Sequence, residues 1–380
     1  MITGHEEVTV LLQELKDSNK KALVYAGFDP TGNSLHIGHL GVISLLKRFE
    51  DEGHHVRIIL GTGTAFIGDP TGKNELRKML SQDVIEKNTD GIINDINRVL
   101  SNPNFIRNDW LRNLNFQDFM REAGSRIPLN DILNLSIVKT RLESGSGITL
   151  MEAIYPVLQG WDMVVMSRMA KEELNVETII QIGGKDQVGN ISMGIHLSKR
   201  LVDDINAFGV LSELITTADG VKMGKTAGNA IFLNPDLTDD LLFFDSIISV
   251  SDSLVDSMIK VLLPGMTNNG NIVKVKKNIA MELTKWVRGD ESLDNILTIK
   301  NKGFDEGELK TIELNSTDIL VSTLLKEAGL TSSLTEGRKL IKNNGVKIDG
   351  EVIKDDLTIK SPSNFILSKG KKNHVRINLN

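Results

Sequence analysis

The sequence predicts an α/β protein: a Rossmann-like parallel sheet with a helical insertion, then a helical domain, then a small α+β domain. Three observations carry this. Through the first 235 residues, apolar strand-like runs alternate with amphipathic helical stretches, the alternation that builds parallel sheets. From about 236 to 300 the apolar spacing becomes almost wholly helical. From 317 onward two helical patterns lead into short strands punctuated by Gly345, Gly350 and Gly370. Charge marks the same division. Eleven Lys/Arg against seven Asp/Glu over 318–380 leave +4 there, so the rest of a chain of net charge −6 carries about −10. The expected domains are therefore 1–235, 236–316 (its end, 301–316, an exposed connector) and 317–380.

In chain order, residues 6–17 form an amphipathic helix, with Val8, Leu11, Leu12 and Leu15 at helical spacing. Ala22–Phe28 is a buried strand, and 29–34 is dense in turn residues. From Leu35 a helix carries Leu40, Ile43, Leu46 and Phe49 on one stripe and stops at Gly53. A second strand, 56–67, runs into GDPTGK at 68–73, and 81–101 is a polar amphipathic helix. Helical segments fill 110–142, and 148–169 is a long amphipathic stretch. The third strand, Thr178–Ile182, leads into GGKDQVGN at 183–190. The helical block near 110–170 thus falls between the second and third strands, an insertion of the kind that carries dimer interfaces.

Composition excludes several functions. A hydrophobic content of 40% with 25% charged residues describes a globular chain, and 380 residues suggest two or three domains. The net charge of −6 argues against a blanket nucleic-acid binder, so any basic surface is local. There is no cysteine, which rules out disulfides, thiolate metal sites and cysteine nucleophiles and fits a reducing cytoplasm. The amino-terminal stretch lacks a signal-peptide core. No run approaches the ~20 apolar residues of a membrane span.

Four motifs carry chemistry. His36-Ile37-Gly38-His39 opens a helix; side chains three apart share a face, and a first turn offers N–H groups and a positive dipole end to an anion. A pair of surface histidines near a cap is the plainer reading. A metal pair is a further one, but no nearby third ligand supports it. DGVKMGKT at 219–226 sets Lys222, Lys225 and Thr226 on a glycine-bearing loop suited to a triphosphate, or forms a solvated basic turn. No GxxxxGK[ST] loop exists in the chain. YPVLQGWD at 155–162 places Tyr155, Gln159 and Asp162 on one helix face, either a solvent stripe or a slot for a small ligand bearing a hydroxyl and an ammonium. GGKDQVGN follows a strand, at the sheet edge where ligands bind in open α/β folds. There Asp186 can accept from a ribose or cap the next helix.

Together, GFDPTGNSLHIGHL, IGDPTGK, YPVLQGWD, QIGGKDQVGN and KMGKT, in this order and spacing, closely resemble the bacterial tyrosyl-tRNA synthetases, class I aminoacyl-tRNA synthetases. The tail (TEGRKLIKNNGVKIDGEVI) resembles a small ribosomal-protein-type RNA-binding module, and the helical segment before it an anticodon-arm domain. The resemblance implies a tyrosine–tRNA ligase that uses ATP with Mg²⁺ as substrate complex and has no protein-bound metal or organic cofactor. Its partners would be L-tyrosine, ATP and tRNA(Tyr), with no membrane, and it would be a cytoplasmic homodimer. Residue by residue, the resemblance assigns the tyrosine hydroxyl to Tyr25 and Asp162. The ammonium falls to Asp69, Tyr155 and Gln159, and the carboxylate to Gln187. Gly27, Asp29, Gly38, Gly184 and Asp186 match adenylate contacts. Thr31 and His36 match groups on the transferring phosphorus, with His39 beside them. Lys73 and Arg77 match a loop closing on pyrophosphate opposite Lys222, Lys225 and Thr226. Three places depart from the family pattern: Trp161 stands where a tyrosine or phenylalanine is more usual, Met223-Gly224-Lys225-Thr226 lacks the second serine of the lysine loop, and Lys185 replaces a small residue.

The implied reaction needs no general base for its first step, because a carboxylate is already a nucleophile at neutral pH. Alignment and charge stabilisation suffice. Asp162 must stay ionised, or at least accept a bond. A tryptophanyl-tRNA synthetase shares the fold, but His39, the Tyr25–Asp162 pair and the basic tail argue against it. An RNA-binding protein with a degenerate synthetase fold would have lost the histidine turn or the lysine loop. A small nucleotidyltransferase would be shorter and lack the tail.

Overall fold

The computed structural model describes residues 2–4, 7–66, 80–143, 145, 148–213, 215, 230–268, 270–301, 311–314, 318–348, 351–361, 363–370 and 373–379. Two compact units result, 1–293 and 294–380.

The first unit runs β1 (Ile2–Gly4), α1 (Val8–Asp17), β2 (Ala22–Phe28), α2 (Leu40–Asp51), β3 (His55–Leu60), α3 (Gln82–Val99) and β4 (Asn104–Arg107). A helical block follows: α4 (Phe116–Glu122), α5 (Leu129–Leu133), α6 (Ser136–Glu143) and α7 (Leu150–Leu174). Then come β5 (Thr178–Gly184), α8 (Val188–Leu201), β6 (Asn206–Ser212), α9 (Asp240–Ile248), α10 (Val255–Leu262), α11 (Ile272–Arg288) and the first residues of α12 (Asp290–Asn301), the rest of which belongs to the second unit. The six strands form one sheet in the order β1-β6-β5-β2-β3-β4, every pair parallel. β2 and β5 read as unbroken apolar runs because helices cover both faces of a parallel sheet. Leu23, Tyr25, Ile179 and the α7 residues Trp161, Met163, Val164 and Met166 meet in one core.

Several expectations need correction. The second strand stops at Leu60 rather than Ile67, because Gly61–Gly63 turns the chain and a short 3₁₀ segment, Thr64–Phe66, follows. Strands β1, β4 and β6 were not foreseen; β4, NFIR, is only four residues and shows no alternation. The helical block therefore follows a fourth strand rather than leading directly from the second strand to the third. α7 extends to Leu174 and is buried around most of its girth, so it is a core helix rather than an amphipathic one.

The second unit continues from 294 with β7 (Thr311–Leu314), β8 (Asp318–Leu320), α13 (Val321–Glu327), α14 (Leu334–Lys342), β9 (Val346–Ile348), β10 (Glu351–Val352), β11 (Thr358–Lys360), β12 (Ser363–Lys369) and β13 (Asn373–Leu379). Five strands form a sheet in the order β10-β9-β12-β13-β7, and β8 pairs with β11. Val321, Leu324, Leu325, Ile341, Leu367 and Ile377 make its core. The expected connector is thus partly a strand: β7 lies parallel to β13, 65 residues away for the pair Ile312 and Ile377.

Candidate active site

The chain steps from β2 to β3 and β4 on one side of the sheet, then to β5 and β6 on the other. This reversal opens a crevice at the carboxyl ends of β2 and β5, the general ligand position in such sheets. A cavity of about 300 Å³ lies there. It is lined by Tyr25, Gly27, Asp29, Thr31, His36, Gly38, His39, Tyr155, Gln159, Asp162, Gly184, Asp186 and Gln187. Every candidate residue that is described therefore meets in one place. Asp69, Lys73, Arg77, Lys222, Lys225 and Thr226 lie outside the described residues.

Tyr25 and Asp162 form the most buried end, 1% and 5% exposed. The Tyr25 hydroxyl has no hydrogen-bond partner among the described residues. Burial, and then the neighbouring Asp162 charge, hold its pKa well above the ordinary phenol value. Burial pushes the Asp162 carboxyl up to about 7, against two donors that pull it down. Those donors are Trp110 Nε1 on Oδ1 at 2.9 Å and Asn108 Nδ2 on Oδ2 at 3.3 Å. The carboxyl group is thus oriented by two donors while burial favours its protonated form.

Asn108 joins this end to the next group. Its Nδ2 also donates to Thr64 Oγ1 (3.2 Å), and Thr64 donates to Asp29 Oδ1 (2.7 Å). The Tyr155 hydroxyl donates to the other Asp29 oxygen at 2.9 Å. Asp29 leaves so little space that a Cβ on Gly61 would sit 2.0 Å from its Oδ1. On the opposite wall Asn190 Nδ2 donates to both Gln159 Oε1 and Gln187 Oε1, each at 2.8 Å, fixing the rotation of both amides. Gln181 also lines the cavity, and its Oε1 has no partner among the described residues.

The histidine turn differs from expectation. His36–His39 is a short 3₁₀ segment (Ile37–His39) before α2, not the first turn of the α-helix. Nor are its N–H groups free for an anion. His36 N–H donates to His39 Nδ1, Gly38 N–H to His36 Nδ1, Ile37 N–H to Ile231 O and His39 N–H to His36 O. An Nδ1 that accepts leaves a neutral ring its proton on Nε2. His39 Nδ1 also lies 3.2 Å from His36 O, so its tautomer decides which of these contacts it makes, and the two rings sit 4.1 Å apart. Asp186 does not cap α8, whose N-cap is Gln187 with no side-chain cap bond.

The two side-chain departures have local explanations. Trp161 packs edge-on against Phe119, ring centroids 5.5 Å apart, with the Arg168 guanidinium over its ring. Lys185 pairs with Glu213 at 3.7 Å. Sequence reasoning missed Asn108, Trp110, Thr64 and Asn190, which orient others, and Gln181, which lines the cavity. Asn190 and Gln181 stood inside a quoted motif. Asn108 and Trp110 follow a strand too short to recognise, so nothing placed them at the sheet edge.

Comparison with known proteins agrees with this geometry. Residues 16–292 match the family described as tRNA synthetases class I (W and Y), and 321–356 match the S4 domain. The chain is 33% identical to a tyrosine–tRNA ligase of Rickettsia bellii over 99% of its own length and 96% of that protein's. Identity to the Pelagibacter ubique tyrosine–tRNA ligase is also 33%, with the same coverage of each chain. In fold it resembles a C-terminally truncated mitochondrial tyrosyl-tRNA synthetase of Aspergillus nidulans (TM-score 0.62, 21% identity, 79% of this chain and 99% of that one). The chain belongs to the class I tRNA synthetases of the W and Y family, and within them to the bacterial tyrosine–tRNA ligases.

Proposed function

We propose that this cavity binds L-tyrosine and ATP·Mg²⁺ side by side, joins them as tyrosyl-adenylate, and passes the tyrosyl group to the 3′-terminal adenosine of tRNA(Tyr). The observation that carries this is the buried Tyr25 hydroxyl, unpartnered among the described residues and next to a carboxylate. A phenol ring entering the slot would receive a bond from Tyr25 and donate one to Asp162. Asp69, Tyr155 and Gln159 would hold the ammonium, and Gln187 the carboxylate. Gly27, Asp29, Gly38, Gly184 and Asp186 would hold the adenylate.

The substrate carboxylate then attacks the α-phosphorus, and the bond to pyrophosphate breaks. Thr31 and His36, with His39 beside them on the ATP side, stabilise charge on the transferring phosphorus. Lys73, Arg77, Lys222, Lys225 and Thr226 take the charge of departing pyrophosphate, assisted by the Mg²⁺ that arrives with ATP. In the second step the tRNA ribose hydroxyl attacks the acyl carbon and AMP leaves. The basic 317–380 region contacts the tRNA, and the 236–316 segment faces its anticodon arm. A cytoplasmic setting belongs to the same reading.

A homodimer is supported by the helical block. Phe116 (71% exposed), Leu129 (67%) and Leu150 (81%) leave apolar side chains there that a second copy could cover. Leu129→Asp is expected to shift sedimentation toward a monomer, and an unchanged sedimentation coefficient contradicts this interface.

The assignment is tested by ATP–pyrophosphate exchange with tyrosine, phenylalanine and tryptophan. Exchange driven by tyrosine is expected, with phenylalanine roughly 10⁴–10⁵ lower because it leaves Tyr25 and Asp162 unpaired. Exchange driven by tryptophan, or by none of the three, overturns it.

A further inference from the structure

Beyond the cavity, one buried charge has no part in the reaction as described. Arg288, the last residue of α11, has a side chain only 1% exposed. Its guanidinium donates to three backbone carbonyls of one loop: Leu233 O, Phe232 O at 3.1 Å and Thr238 O at 2.8 Å. Asp240 pairs with its Nε at 3.1 Å, and the Phe243 ring lies 4.7 Å beneath. Such a buried guanidinium is costly to remove, since three carbonyls lose their donor and Asp240, whose contact with Nε is a charge pairing without a hydrogen bond, loses its counter-charge.

The carbonyls it holds belong to the segment that braces the histidine turn. Ile37 N–H donates to Ile231 O and Leu233 N–H to Leu35 O, both at 2.9 Å, and His36 bridges Phe232 in antiparallel fashion. Asn234 N–H donates to Ser34 Oγ, whose hydrogen goes to Asp95 Oδ2 at 2.6 Å. The strip 34–37 is therefore held between Asp95 of α3 and, through 231–234, Arg288 of α11. The tyrosine slot has no member in this chain of contacts.

We propose that Arg288 is a positioning residue for the ATP half of the site: it fixes the 231–234 strip and, through it, the placement of His36 and His39. The proposal builds on the reading of the histidine turn as the phosphate-handling side. Its consequence is a division of effects. Loss of Arg288 slows adenylate formation but leaves tyrosine binding alone, because misplacement by about an ångström costs roughly 10²-fold in rate without touching the other pocket.

The test uses the full chain with Arg288→Met, Arg288→Lys and, as a packing control, Phe243→Leu. Tyrosine Kd is read from intrinsic tryptophan fluorescence, since Trp110 bonds Asp162, and kcat from tyrosine-dependent pyrophosphate exchange. Arg288→Met is expected to lower kcat about 10–100-fold with tyrosine Kd changed less than twofold. Arg288→Lys should recover part of that loss. Phe243→Leu should lower Tm while keeping kcat within about threefold. Equal losses of kcat in the Phe243 and Arg288 variants at matched Tm, or a kcat that Arg288→Met leaves intact, overturn the proposal. If the Arg288 variants do not fold, Asp240→Asn decides: a several-fold fall in kcat at constant Kd supports it, and no fall refutes it. Wild-type protein without tyrosine-dependent exchange would instead defeat the underlying reading.

Discussion

At Asp162, selectivity and stability pull against each other. Burial raises its carboxyl to about 7, yet the tyrosine hydroxyl needs an acceptor there. Between the ordinary carboxylate value and about 7 the unfolded chain has released this proton and the folded chain has not. Stability therefore falls as pH rises through that window. Asp162→Asn should remove this dependence and stabilise the protein at pH 8, relative to pH 4, by about 4 kcal/mol, read by denaturant titration at both pH values. Identical pH profiles for variant and wild type would contradict the burial argument. Function runs the other way. Tyrosine affinity should weaken as pH falls below about 7, approaching tenfold per pH unit, and a Kd flat from pH 8 to 6 would mean the carboxylate is not the acceptor. Tyr25 and Tyr155 are the only two tyrosines of the chain, and both line the cavity.

Among the elements, α3 shows how packing shapes the site without touching a ligand. Gly91 lies so close to the turn before the histidines that a Cβ would come within 2.0 Å of Asn33 O. Asn88 of the same helix donates to Pro30 O, and Asp95 accepts from Ser34 Oγ and Leu35 N–H. Gly91→Ala should cost about 1–3 kcal/mol of stability, measured by chemical denaturation, and slow adenylation by displacing Asp29–Leu35. Unchanged stability would show that the turn yields freely. The sequence revealed β2, α2 and β5 because their apolar runs are long and bounded by glycine turns. It concealed β1, β4 and β6: three or four residues carry too little pattern, and the seven of NAFGVLS mix small and apolar types. The site was legible through residues whose chemistry is unusual for their surroundings, such as Asp162 inside an apolar helix. Asn108 and Asn190 were not, because an asparagine in a turn or near a helix start has ordinary local uses, and only the three-dimensional fold brings each beside the group it orients.

Across the whole molecule, the two units have separate cores and opposite charge balance. The tail was readable from its lysines and glycines, whereas β7 was not, since its partner strand lies at the far end of the chain. That strand fixes where a truncation should fall: a cut after 317 strands β7, and a cut near 301 removes the whole sheet. A chain ending near 301 should retain tyrosine-dependent pyrophosphate exchange within about twofold and lose most tRNA charging. Full charging by the truncated chain would deny the tail its RNA role.

The central claim is that the slot between Tyr25 and Asp162 selects tyrosine for adenylation. Its most direct test is the kcat/KM of pyrophosphate exchange for tyrosine and phenylalanine in wild type and Asp162→Ala. The prediction is a loss for tyrosine of roughly 100-fold or more, with phenylalanine little changed, so that the preference collapses. Exchange with tyrosine that Asp162→Ala leaves at the wild-type rate would contradict it.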